Sequence, residues 1–298
     1  MLIKSVHNWI MSNFYDALLG TNAFRKFKVD ELLFVEYKCL DEGIRTELWN
    51  HTNFFSFIVK GKMTWKANGK EYLVKQGEIF FAKKGAIKVE TFPNAEFCDV
   101  IIFVPDEFVK GVIEKYKISC HSEQKKTGSE SIIPVRAEKV LSLYFESLLS
   151  YFSQSKPPSE VLLKLKFEEL ILHILSGDNN PCVTNYFQDL FKYSQISIRE
   201  IMESNYTSRL TLPEFARLCG RSLSSFKRDF IKIYETPPGS WLTHKRLYYA
   251  KSLLETTEKR IHEIVFDAGF TNRSHFVKVF KNEFGMTPLQ FRMMVNKV

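Results

Sequence analysis

Apolar and polar positions fall into short runs at residues 54–60, 63–67, 71–75, 78–83, 87–92 and 97–104. Runs this short, rich in aromatic and β-branched residues, predict strands. Gly61, Gly69, Gly77 and Gly85 recur every eight residues at the breaks, where turns call for positive φ, and Asn68-Gly69 is a strong hairpin signal. Strands at such regular spacing predict an antiparallel sandwich or barrel. Beyond residue 136 the period becomes helical. Helices are predicted over 137–152 and 159–175, separated by Lys156-Pro157-Pro158. In the second, Leu163, Phe167, Leu170 and Ile174 recur at spacings of four, three and four, an apolar stripe on one face. Residues 177–181 collect helix breakers and predict the start of an interdomain linker, so the domains are expected at 1–177 and 194–298 with a linker over 178–193.

From Ser194 onward the pattern is helical throughout. Helices are expected over 196–205, over 212–218 ending at Cys219-Gly220, and from a Ser222 cap to about Tyr234. Pro237-Pro238-Gly239 interrupts the chain, after which Ser240 can cap a long helix to Leu254. Helices over 261–268, from an Asn272 or Thr271 cap to about Phe284, and over 288–295 complete the series. Short helix, glycine turn and capped helix thus occur twice, about fifty residues apart, the order of a helix-turn-helix. Ala216 suits the close crossing of the first pair, and Gly220 and Gly269 suit the turns. Phe226 and Phe230, then Phe276 and Phe280, anchor one face of each second helix. The other face carries Ser224, Ser225, Lys227 and Arg228 in the first copy, and Asn272, Arg273, Ser274, His275 and Lys278 in the second. Donor-rich side chains at the start of a helix are what reading a major groove requires.

Charge sharpens this division. The chain has 298 residues with 42 Lys and Arg against 34 Asp and Glu, a net of +8. Residues 1–193 hold 25 basic and 24 acidic side chains, and residues 194–298 hold 17 and 10, so +7 belongs to the helical module. A basic module beside a neutral one fits either a polyanion partner or a basic surface with no nucleic-acid role, and charge alone does not choose between them. The five cysteines, Cys39, Cys98, Cys120, Cys182 and Cys219, are scattered and form no C-x-x-C, as expected of reduced thiols in a cytoplasmic protein. Residues 1–20 lack the unbroken apolar core of a signal peptide, and no run of eighteen apolar residues predicts a membrane span.

The run Asp267-Ala268-Gly269-Phe270-Thr271-Asn272-Arg273-Ser274-His275-Phe276, continued by Phe280-Lys281 and Phe284-Gly285-Met286-Thr287-Pro288, resembles the signature of the AraC/XylS transcription regulators at every fixed position. Residues 212–230 and the positions Arg246, Leu247, Ala250 and Leu254 also fit. Two departures are Val265, where the family has a small residue, and Asp229, an acid within the first reader helix. The resemblance implies two recognition helices joined by one long helix and binding to double-stranded promoter DNA. It places base contacts on Ser224, Ser225, Lys227, Arg228, Arg273, Ser274, His275 and Lys278, with Arg228 and Arg273 the candidates for guanine. Lys232, Lys245 and Lys281 are candidates for phosphate.

The strand region resembles the cupin-like sensor domain of the same regulators, through residues 54–61, Gly77-Glu78 and Phe108 closest to activators of bacterial type III secretion. That resemblance implies a partner protein or small molecule as effector, a homodimer, and RNA polymerase as a partner in activation. It favours Leu163, Phe167, Leu170 and Ile174 as the pairing surface over packing on their own barrel. The aromatic residues of the barrel either fill its core, the favoured reading, or line an effector pocket built on Trp49, Phe57, Trp65 and Phe81. The strands contain no H-x-H, with His51 standing alone ahead of them and His7, His121 and His173 far off, so neither metal nor other cofactor is expected. No nucleophile motif, phosphate loop or dinucleotide fingerprint suggests an enzyme. The competing readings are a non-specific architectural DNA binder and a cupin enzyme fused to a DNA-binding module.

Overall fold

A computed structural model describes residues 12–39, 45–67, 69–91, 96–118, 130–177, 179–192 and 197–295. Asn68, Phe92, His7, His121, Cys120 and the expected boundary at Ser194 lie outside these, as does the side chain of Cys39. The chain divides into two compact units, Met1–Ile196 and Ser197–Val298.

The first unit contains β1 (Ser12–Asn13), α1 (Phe14–Gly20), β2 (Arg25–Val29), β3 (Leu32–Cys39), β4 (Arg45–Asn50), β5 (Asn53–Lys60), β6 (Lys62–Ala67), β7 (Lys70–Lys75), β8 (Ile79–Ala82), β9 (Gly85–Thr91) and β10 (Phe97–Val104). These are followed by α2 (Asp106–Lys115), β11 (Ile132–Val135), α3 (Lys139–Ser153), α4 (Glu160–Ser176) and α5 (Pro181–Lys192). One sheet has the order β1-β4-β9-β6-β7 and the other β11-β8-β5-β10-β3-β2. Their pairings are antiparallel except for β1 with β4.

Alternation along the strands assigns the side chains to two cores. Phe54, Ile58, Phe80, Ile101 and Phe103 meet Met63, Trp65, Ile87 and Val89 of the other sheet. Their neighbours Phe55, Phe57, Phe81, Val100 and Ile102 point the opposite way and pack on α2 to α5. The four residues expected to share an effector pocket are therefore separated. Phe57 and Phe81 belong to the helix-covered face, Phe57 stacking on Phe145 at 5.1 Å. Trp65 lies between the sheets, and Trp49 is buried with its ring edge-on to His51 at 6.3 Å. The period of two explains the correction: residues an even number apart on one strand share a face, and Trp65 and Phe81 sit in strands whose inward phases differ.

The stripe of α4 is corrected as well. Leu163, Phe167, Leu170 and Ile174 are all buried in the helix-covered core of their own unit, with Phe167 against Phe34 at 4.3 Å and Phe108 at 5.5 Å. Residues 181–192 are not linker but the helix α5, whose Val183, Tyr186 and Phe187 join that core. A buried polar network fastens it: the Tyr186 hydroxyl and the Lys84 N–H donate to Asn53 Oδ1 at 2.9 and 3.0 Å. Asn53 Nδ2 donates to Asp106 Oδ1 at 2.7 Å, and Lys84 Nζ pairs with Asp106.

The second unit is all helix: α6 (Ile198–Asn205), α7 (Leu212–Leu218), α8 (Leu223–Tyr234), α9 (Pro238–Thr256), α10 (Ile261–Asp267), α11 (Arg273–Phe284) and α12 (Pro288–Val295). Among the described residues of the chain, no helix is long and apolar enough to cross a membrane.

Candidate nucleic-acid interface

Each helix-turn-helix is set by local chemistry. Glu214 Oε2 accepts the Thr211 N–H at 2.7 Å to start α7, and Glu263 Oε2 accepts the Arg260 N–H at 2.7 Å to start α10. Ala216 and Val265 are both buried at the following crossings, so the larger Val265 is accommodated. The turns pass through Gly220 at φ +63° and Gly269 at φ +83°. Ser222 Oγ then accepts the Ser225 N–H at 3.2 Å to cap α8, and Asn272 Oδ1 accepts the His275 N–H at 2.9 Å to cap α11. Phe226 and Phe230 are buried under α8, as are Phe276 and Phe280 under α11. Asn272, expected among the base contacts, spends its side-chain oxygen on this cap.

The first and last residues of α8 and α11 are offset by fifty, whereas the turn glycines are offset by 49. The second turn is one residue longer, and the extra position is filled by Phe270, which is buried against Phe276 at 5.0 Å. Arg228 therefore corresponds in position to Lys278, and Arg273, the first residue of α11, corresponds to Leu223. The two candidate guanine readers stand at different depths on their helices.

Ser224, Lys227 and Arg228 are exposed, and Ser225 is half-buried. Asp229 is drawn into the reader face as an organiser. Arg228 Nε and Arg221 Nε each lie 3.4 Å from its carboxylate, Ser225 Oγ donates to it at 3.3 Å, and Arg228 Nη2 donates to Ser225 Oγ at 3.2 Å. Partial desolvation opposes ionisation of Asp229, but the hydrogen bonds from Arg228 and Ser225 and the two guanidinium charges prevail and hold the carboxyl below its ordinary range. Arg221 and Asp229 were missed as supports because both come from outside the donor pattern.

On α11, Arg273, Ser274, His275 and Lys278 are all exposed, as are Lys232 and Lys281 near the ends of the two reader helices. Among the described residues no acid lies within ion-pair distance of Arg273, Lys278 or Lys281. Lys245 is less open: its ammonium pairs with Glu203 at 2.9 Å and lies 5.3 Å from the centre of the Trp241 ring. A groove between α9 and α11 is lined by Ser240, Thr243, His244, His275, Asn282 and Glu283, with His244 Nδ1 3.3 Å from Glu283.

α9 starts earlier than expected. Pro238 takes the first helical position, where its missing N–H costs nothing, so the helix has 19 residues and a length of about 28 Å. Ser240 is inside the first turn and caps nothing. Midway along α9, Arg246 Nε donates to Tyr206 O at 2.7 Å and Nη2 to Ser208 O at 2.6 Å. Burial lowers its pKa to about 10. The signature arginine is thus a clamp on the loop after α6, inside the module.

Residues 53–186 match the model of the ExsA N-terminal regulatory domain, and residues 215–294 match that of a helix-turn-helix domain. The chain joins an AraC-type helix-turn-helix domain to an ExsA-type regulatory domain. This regulator is 27% identical over 239 residues to the thermoregulatory protein LcrF of Yersinia pestis, which covers 79% of this chain and 87% of that one. It is 25% identical over 238 residues to the HTH-type transcriptional regulator ExsA of Pseudomonas aeruginosa, covering 79% and 84%. Among solved structures, ToxT from Vibrio cholerae aligns with 88% of this chain and 98% of that one at 16% identity and a TM-score of 0.37. The chain thus combines a β-rich N-terminal unit with an all-helical unit that carries the helix-turn-helix match. No three His, Cys, Asp or Glu side chains come together to hold a metal among the described residues.

Proposed function

We propose that this regulator binds promoter DNA sequence-specifically through α8 and α11 and activates transcription with RNA polymerase as its partner. The observation that carries the reading is the repeated reader helix: a buried Phe pair fixes each one, and exposed donors occupy the opposite face. Ser224, Ser225, Lys227 and Arg228 on one helix, and Arg273, Ser274, His275 and Lys278 on the other, are assigned to base edges. Lys232, Lys245 and Lys281 are assigned to phosphates, Lys245 exchanging Glu203 for the backbone. Activation is supported by relatives such as the virulence regulon transcriptional activator VirF of Yersinia enterocolitica, 27% identical over 239 residues. The N-terminal unit is read as the regulatory half, answering to a protein or small-molecule effector in the cytoplasm and pairing two copies by a surface other than the buried α4 stripe.

The test is binding to a duplex selected from a random pool, against a scrambled duplex at one fixed salt concentration. Arg228→Ala and Arg273→Ala should each cost about 1–3 kcal/mol on the selected site and relax preference locally, while Lys245→Ala should weaken both duplexes alike. Equal affinity for the two duplexes would establish the architectural reading instead.

A further inference from the structure

The exposed face of α8 does not end with its donors. Ile231 stands three residues beyond Arg228 and four beyond Lys227, one turn further along the same face, and is 45% exposed. Ile233, 40% exposed, is two residues on and faces away from that line. The module's own repeat supplies a control. With α8 and α11 offset by fifty, the position of Ile231 is occupied in the second reader by Lys281, which is exposed. At this position one reader therefore carries a cation and the other an aliphatic side chain. A lysine there suits a phosphate. An isoleucine suits neither a phosphate nor a polar base edge, and the apolar feature that the major groove offers at base edges is the thymine 5-methyl group.

We propose that Ile231 is a specificity-determining residue that packs on a thymine methyl beside the base pair engaged by Arg228. The proposal rests on the reading that α8 enters the major groove. At this position it gives the two half-sites different chemistry: a hydrophobic determinant under α8 and a backbone contact under α11.

The test uses the full chain and the duplex recovered by selection, with each thymine replaced singly by deoxyuridine so that only the methyl is lost. In the half-site that depends on Arg228, one replacement should weaken the wild type about fourfold, the worth of roughly one buried methyl. The same replacement should leave Ile231→Ala unchanged, and Ile231→Lys should lose the preference for thymine there. The proposal is overturned if no thymine methyl matters to the wild type that does not matter equally to Ile231→Ala. Arg228→Ala separates the two levels. If it relaxes preference while Ile231→Ala behaves as wild type, the isoleucine contact fails and the reader helix stands. If neither variant changes preference, both fall.

Discussion

The two turn glycines look alike in sequence and differ in surroundings. A Cβ on Gly220 would meet nothing within 4 Å, so only its positive φ restricts it. A Cβ on Gly269 would lie 2.6 Å from Thr207 O and 3.0 Å from Arg246 Nε, because the loop held by Arg246 passes directly over the second turn. Gly220→Ala should cost about 1–2 kcal/mol for the left-handed backbone. Gly269→Ala should cost a further ~1–3 kcal/mol for overpacking, read by urea denaturation of the two variants. Equal losses would show that the loop yields freely. A second residue-scale prediction concerns Asp99, fully buried on β10 between the sheets and accepting a hydrogen bond from Ser56 Oγ at 2.5 Å. Burial, opposed by that hydrogen bond, pushes its pKa up from 3.8 to about 7. Between those values the folded chain keeps a proton that the unfolded chain releases. This contribution to stability is complete below about pH 4 and is lost as pH rises through about 7. Asp99→Asn should flatten that fall, measured as unfolding midpoints at pH 5 and pH 8, and a slope unchanged by the substitution would refute the assignment.

At the scale of elements, the spacing of Leu163, Phe167, Leu170 and Ile174 identifies a buried face but not what buries it. Helix α4 supplies that face to its own sheet, and the stripe is covered before any second copy arrives. Phe167→Ala should therefore lower the stability of the chain by about 3–5 kcal/mol and leave its sedimentation unchanged. A variant that dissociates with its unfolding midpoint intact would return the stripe to an interface between copies. The helices of the second unit were legible nearly to the residue, since serine, threonine, asparagine and glycine mark their ends by local hydrogen bonding that needs no tertiary context. The start of α9 is ambiguous in sequence because a proline at the first helical position and a serine two residues later are both lawful beginnings, and the burial of Pro238 decides between them. In sequence α5 reads as linker because its breaker-rich preface outweighs the amphipathic run that follows, which becomes core only beside the sheet.

For the whole molecule, the surplus of positive charge was already partitioned along the chain, and the partition coincides with the two compact units to within a few residues. Charge supplies general attraction to DNA, and discrimination is left to the few bidentate, uncharged and apolar side chains on α8 and α11. The chain by itself determined the strands between residues 53 and 104, the seven helices described after residue 197 and the repeat, because periodicity, caps and turn residues act over a few positions. Tertiary structure decided the rest. It sorted the aromatic residues onto opposite faces of one sheet, since a strand's phase has meaning only against its neighbours. It turned Asp229 from a repulsive acid into the support of Arg228, and Arg246 from a basic residue into an internal clamp. It also set the readers one residue out of register, because Phe270 needed a place in the core that no local rule could assign.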